Sequence, residues 1–181
     1  MEAKIKTVTP NPKCPEMGYG QVHNLCIKCM ALTHCNTQLF TACKDGVLKC
    51  WSITPQKRLQ LIKVLGRVHN SSIFCMHIAS DNETLLTGAN DGYINQYKIS
   101  TLQKIKVYPQ AHAAMVNCIK STKNSLLAIT CSDDQSFKIW NLRKKLLVQS
   151  FTRPIPLNSP NYGNWMKYQT MVIMDNEKSI F

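Results

Sequence analysis

The sequence predicts an all-β chain built from repeated four-stranded antiparallel units, about three complete and a fourth incomplete. Three observations carry this reading. Three segments align without gaps: His23 to Trp51, His69 to Tyr97 and His112 to Trp140. Within each, short apolar runs of strand length alternate with polar turns. Each also has a tight turn, KDG, NDG or DDQ, between two strand-like runs. Asp-Gly in that setting is a strong hairpin signal, because glycine supplies the positive φ that a two-residue turn needs.

The elements follow in the same order in every unit. A first strand carries Ile27, Ile73 or Val116 at one offset and Met30, Met76 or Ile119 at another. A polar turn comes next: His34–Gln38, Ser80–Thr84 or Thr122–Ser125. The second strand reads LFTAC, LLTGA or LLAIT, and the third, after the tight turn, VLKCW, YINQY or FKIW. A fourth run closes each unit: LIKVL at 61–65, KIKVY at 104–108 and KLLVQSF at 145–151. Four antiparallel strands in a repeat of 40–45 residues is the arithmetic of a β-propeller blade. Three polar positions recur with the strands. An Asp lies 22 residues after each His (Asp45, Asp91, Asp134), and a Thr four before that Asp (Thr41, Thr87, Thr130). An aromatic lies six after the Asp (Trp51, Tyr97, Trp140).

With these residues in place the chain resembles the WD40 repeat family over residues 23 to about 151, hence a partial WD40 β-propeller. In that family the His, Thr, Asp and Trp form a buried hydrogen-bonded tetrad, a device for satisfying polar groups taken out of water. The resemblance implies tetrads at His23/Thr41/Asp45/Trp51 and His112/Thr130/Asp134/Trp140. It implies an incomplete one at His69/Thr87/Asp91, where Tyr97 replaces the indole. No unit has the family's Gly before the His (Val22, Val68, Ala111) or its Asp after the aromatic (Ser52, Lys98, Asn141). A His–Asp–Thr set also has the residue types of nucleophilic catalysis. Three copies at one offset point instead to a structural network that recurs with its blade, so no enzyme is expected.

The repeats divide the chain into 23–66, 67–110 and 111–152. Residues 1–22 hold an outer-strand segment, Lys4–Val8, and a Pro- and Gly-rich loop; residues 153–181 hold a second such loop and a truncated fourth repeat. Propellers close with 4–8 blades. The expectation is therefore a piece of a longer propeller, or a chain that completes its ring by self-association.

Composition bounds the function. The chain has 181 residues, of which 44% are hydrophobic, and a net charge of +12 from 22 Lys and Arg against 10 Asp and Glu. It has no apolar run of membrane-spanning length. Nine cysteines without a secretory signal suit a reduced intracellular chain, cytoplasmic or nuclear. Nucleotide-binding, zinc-protease and hydrolase motifs are missing, and no cofactor is expected. The stretch VHNLCIKCMALTHC offers Cys26, Cys29, His34 and Cys35 as a metal or redox set. However, Cys29 has counterparts in Cys75 and Cys118 and reads as a small apolar strand residue.

The family resemblance implies a rigid scaffold that binds proteins or peptides on the propeller face and helps assemble a complex. It places partner contacts three and five residues after the His and one before the Asp. These are Cys26, Lys28 and Lys44; Ser72, Phe74 and Asn90; Met115, Asn117 and Asp133. Phe74 and Met115 are the apolar anchors, unless they serve only as core or cover. The alternative reading is an RNA- or ribonucleoprotein-associated basic propeller.

Overall fold

The structure, a computed structural model, describes residues 23–56 and 58–152. The expected strand at Lys4–Val8 and the fourth repeat after residue 152 lie outside the described residues. Twelve strands form three four-stranded antiparallel sheets, each a meander in chain order. The first blade contains β1 (Ile27–Leu32), β2 (Gln38–Cys43), β3 (Val47–Ile53) and β4 (Leu59–Arg67). The second contains β5 (Ile73–Ile78), β6 (Thr84–Ala89), β7 (Ile94–Lys98) and β8 (Gln103–Tyr108). The third contains β9 (Val116–Ser121), β10 (Leu127–Ser132), β11 (Ser136–Asn141) and β12 (Leu146–Thr152). The first strands β1, β5 and β9 stand side by side, so the blades are arranged as in a propeller. Among the described residues no helix is long and apolar enough to cross a membrane.

The core lies between neighbouring blades rather than inside any one of them. Phe40, Leu48 and Cys50 of the first blade meet Ile73, Leu85 and Tyr97 of the second. Leu86, Ile94 and Tyr108 of the second meet Val116, Ile119 and Trp140 of the third. The Tyr108 and Trp140 rings pack edge to face at 5.2 Å, a favoured aromatic geometry. Among the described residues the first blade has no such neighbour on its other side. Met30 is 62% exposed there and Ile27 40%, whereas their counterparts Ile119 and Val116 are 2% and 0% exposed.

Polar turns staple the blades at the end opposite the histidines. Asn36, Asn82 and Ser125 share one offset and all adopt positive φ, near 55°. Asn82 Oδ1 accepts the His34 backbone N–H at 2.8 Å, and Ser125 Oγ accepts that of Asp81 at 2.8 Å. The turns of the second and third blades thus each cap a backbone donor of the preceding blade.

Two register shifts recur in every blade. The first lies between Ile27 and Cys29, between Ile73 and Cys75, and opposite Cys131 and Ser132. It leaves Lys28, Phe74 and Asn117 as bulge residues outside the ladder. The second shift immediately precedes Trp51, Tyr97 and Trp140. A bulge bends its strand and re-aims a side chain.

Candidate functional site

The polar networks lie where the segment before each first strand meets the turn between the second and third. In the third blade they are continuous. His112 is 1% exposed; its Nδ1 lies 2.9 Å from Asp134 Oδ2 and 3.0 Å from Ser136 Oγ. Its Nε2 lies 2.8 Å from Thr130 Oγ1, which accepts the Trp140 indole N–H at 2.9 Å. Burial holds the imidazole below its ordinary pKa despite the pull of Asp134. Burial alone would raise the Asp134 carboxyl, but hydrogen bonds from Ser136 and the Ala113 N–H, with His112 beside them, hold it low.

The second blade keeps less of this. His69 Nε2 lies 2.8 Å from Thr87 Oγ1, but Nδ1 stands 3.5 Å from Asp91. Tyr97 is buried, and its hydroxyl finds no hydrogen-bond partner, so Thr87 receives nothing in place of the indole.

The first blade differs in another way. His23 Nε2 lies 2.8 Å from Thr41 Oγ1, and that oxygen accepts the Trp51 N–H at 2.8 Å. Asp45 is not hydrogen-bonded to His23. Its Oδ1 instead takes the Cys43 thiol and, at 3.0 Å, the Val47 N–H. The His23 Nδ1 is buried without a partner. A competing donor explains the difference: Cys43 stands where the other blades have Ala89 and Ser132.

One contributor escaped the sequence reading. Four residues after the Asp come Lys49, Asn95 and Lys138. Asn95 Nδ2 donates to the Val68 carbonyl at 2.8 Å, and Lys138 Nζ to that of Ala111 at 2.5 Å. Both acceptors belong to the residue before the His. The recurring offset was available as a signal, but mixed residue types hid it.

The rim positions share a backbone contact. Lys44 N donates to Cys26 O at 3.0 Å, Asn90 N to Ser72 O at 2.9 Å and Asp133 N to Met115 O at 3.1 Å. The bulge residues reach the same end: Asn117 Nδ2 donates to Asp133 Oδ1 at 2.8 Å, and Lys28 Nζ lies 5.6 Å from the Phe74 ring centroid. Cys26, Lys28, Lys44 and Asn90 are exposed; Ser72, Phe74, Met115, Asn117 and Asp133 are partly buried.

The cysteine set of VHNLCIKCMALTHC is spread along β1. Cys26 precedes the strand, Cys29 lies within it and is partly buried, and His34 and Cys35 follow its far end. Burial pushes the Cys29 thiol up to about 12, which suits packing rather than chemistry. The group of three metal-capable side chains that does converge among the described residues is His23, Cys43 and Asp45.

Residues 19–52, 59–98 and 102–141 match the family model for the WD domain, G-beta repeat. Among solved structures the chain is similar to the WD40 repeats of RRP9 and to U3-55K. Each is 24% identical with a TM-score of 0.67, over 72% of this chain and 40% of the other. It is also similar to the WD40 β-propeller domain of Doa1, 24% identical with a TM-score of 0.63, over 74% and 43% of the two chains. The chain therefore covers less than half the length of these structures. No curated relative matches it. Three repeats matched over more than half of the residues, folded as three blades, make the conclusion plain: the chain belongs to the WD40 repeat family.

Proposed function

We propose that this chain is an intracellular, non-enzymatic interaction scaffold that binds a protein or peptide across the rim formed by the bulge residues and their neighbours. The observation that carries this reading is the bulge itself. It recurs at Lys28, Phe74 and Asn117, and each time it lifts one side chain out of the sheet beside the Cys26–Lys44, Ser72–Asn90 or Met115–Asp133 contact. Bulges of this kind commonly re-aim side chains at binding sites. The buried networks beneath keep the rim rigid, which lowers the entropic cost of binding. Phe74 with Lys28 above it, and Met115, supply an apolar centre with a charged edge, the composition of an interface core.

The test is cross-linking with mass spectrometry on the chain and a co-purified partner, followed by Phe74→Ala. Partner binding should weaken at least tenfold while the melting temperature barely moves. A large loss of stability with binding intact would make Phe74 a core residue and remove it from the rim.

The uncovered flank of the first blade bears on partners too. We propose that Ile27 and Met30 are covered by a further blade, from elsewhere in the polypeptide or from a second copy, because their counterparts are covered by the preceding blade. Light scattering on wild type and Met30→Lys tests the second copy.

A second reading rests on the net charge of +12 and on Lys28 and Lys44 at the rim. It takes single-stranded RNA as the ligand. Binding that falls steeply with salt and weakens in the Lys28→Ala/Lys44→Ala double variant would favour it.

A further inference from the structure

We propose that His23, Cys43 and Asp45 form a zinc site in the first blade. One ligand atom from each lies within 4.8 Å of the other two, so a small closure brings all three onto one ion. The donor set is a thiolate, an imidazole and a single carboxylate. Sulfur and nitrogen ligands select Zn²⁺ over Mg²⁺ or Ca²⁺, which take oxygen.

Comparison between blades shows why the site arises here. In the third blade the His112 Nδ1 is consumed by Asp134 and Ser136. In the first, the equivalent nitrogen is buried and has no hydrogen-bond partner among the described residues; His69 Nδ1 of the second is likewise unpartnered, 3.5 Å from Asp91, but that blade has no thiol beside it. A buried, unpaired nitrogen costs free energy unless something meets it. Within the group of three, His23 lies beside Cys43, the one thiol at an offset that carries Ala89 and Ser132 elsewhere. Asp45 has already turned toward that thiol. What the first blade loses as a hydrogen bond it presents as ligands.

The surrounding hydrogen bonds suit coordination. With the Nδ1 lone pair on the ion, the proton resides on Nε2 and is donated to Thr41 Oγ1, 2.8 Å away, whose second lone pair still accepts the Trp51 N–H. The Val47 N–H holds Asp45 Oδ1 at 3.0 Å. Such partners fix ligand orientation and are typical of built metal sites. Binding releases the Cys43 thiol proton. The thiolate and carboxylate neutralise the ion, so Lys49, whose charge acts on His23, faces a site without net charge. His23 and Asp45 are partly exposed, which leaves a fourth position to water. The ion would tie the segment before β1 to the β2–β3 turn, as the His–Asp contact does in the third blade.

The experiment titrates the full reduced chain with Co²⁺ in the absence of air. One equivalent should produce a thiolate-to-cobalt charge-transfer band, which Zn²⁺ displaces, and Zn²⁺ should raise the melting temperature. Cys43→Ser reproduces the residue of the third blade and Cys43→Ala that of the second. Both should keep the circular dichroism of wild type and lose the band and the thermal shift; Cys26→Ser and Cys35→Ser should keep them. In wild type itself, Zn²⁺ should slow alkylation of Cys43 at least tenfold without protecting Cys26. Folded wild-type protein without the band, a band surviving in Cys43→Ser, or unprotected Cys43 would each overturn the site.

Discussion

The carbonyl of Gly92 accepts the backbone N–H of His112 at 3.0 Å, and a Cβ built on Gly92 would lie 2.1 Å from the His112 carbonyl oxygen. Gly46 stands in the same relation to His69: its carbonyl accepts the Val68 N–H at 2.9 Å, and its Cβ would meet the His69 oxygen at 2.2 Å. The tight turn of one blade is therefore seated on the histidine of the next. Gly92 has φ +75 and Gly46 φ +80, a region that L side chains avoid. Gly92→Ala and Gly46→Ala should each cost about 3 kcal/mol or more, from the backbone clash added to the left-handed penalty. Gly66 separates the two effects. Its φ is +78, but nothing lies within 4 Å of its Cβ position. Gly66→Ala should cost only about 1 kcal/mol in a urea titration. Equal losses at all three positions would show that the turn does not carry the blade contact.

The turns and strands were legible in the sequence because the repeats compare each element with two copies of itself. Each second strand lies within a residue or two of its expected bounds, and the KDG, NDG and DDQ turns fall between strands. DDQ has no glycine, yet Gln135 holds φ 62, the backbone state of Gly46 and Gly92. What stayed hidden was set by competition rather than by type. Asp45, Asp91 and Asp134 are the same residue at the same offset, yet Asp45 takes the Cys43 thiol, Asp91 stands 3.5 Å from His69 Nδ1, and Asp134 reaches His112 Nδ1 at 2.9 Å. The bulges at Lys28, Phe74 and Asn117 were equally out of reach, because a one-residue slip leaves no mark in an alternating pattern of this length.

Removing the central hydroxyl of each network measures how much of it is connected. Thr130 Oγ1 serves both His112 and Trp140, whereas Thr87 Oγ1 serves His69 and gets nothing from Tyr97. Valine keeps the shape of threonine and deletes the oxygen. Thr130→Val orphans two buried groups and should cost about 2–4 kcal/mol; Thr87→Val leaves His69 Nε2 with Asn95 Nδ2 at 3.1 Å and should cost about 1 kcal/mol. Chemical denaturation compares them directly, and a larger loss at Thr87 would mean that the second network has partners beyond these.

His77 should give the fold an acid-sensitive contact. Its Nε2 lies 3.1 Å from Ser121 Oγ, between the second and third blades. Burial, followed by the charges of Lys120 and His34, lowers its pKa from 6.5 to about 4. The unfolded chain therefore takes up this proton first as pH falls, so stability drops through the window from about 6.5 to about 4 and levels off below it. The amplitude is on the order of 2 kcal/mol once residual solvent screening is allowed for. His77→Gln, which cannot titrate, should flatten that part of a plot of urea midpoint against pH. A variant that keeps the full slope would place the sensitivity in another group.

Cys35 should be the first described cysteine to react. It is exposed in the turn after β1, and hydrogen bonding with Thr37 first, then with Thr33 and from the Asn82 amide, lowers its pKa to about 6. The thiolate is the nucleophile, so at pH 7 most of this side chain is already in reactive form. Burial drives Cys29, Cys50 and Cys75 the opposite way: Cys50 up to about 11, and Cys75 well above its ordinary value. Brief treatment of native protein with iodoacetamide, read by peptide mass spectrometry, should label Cys35 ahead of Cys29, Cys50 and Cys75, with a rate that rises through pH 6 and then plateaus. Thr37→Val removes the strongest donor and should move that rise to higher pH without unfolding the chain. A profile unmoved by Thr37→Val would mean that the hydroxyl does not hold the thiolate.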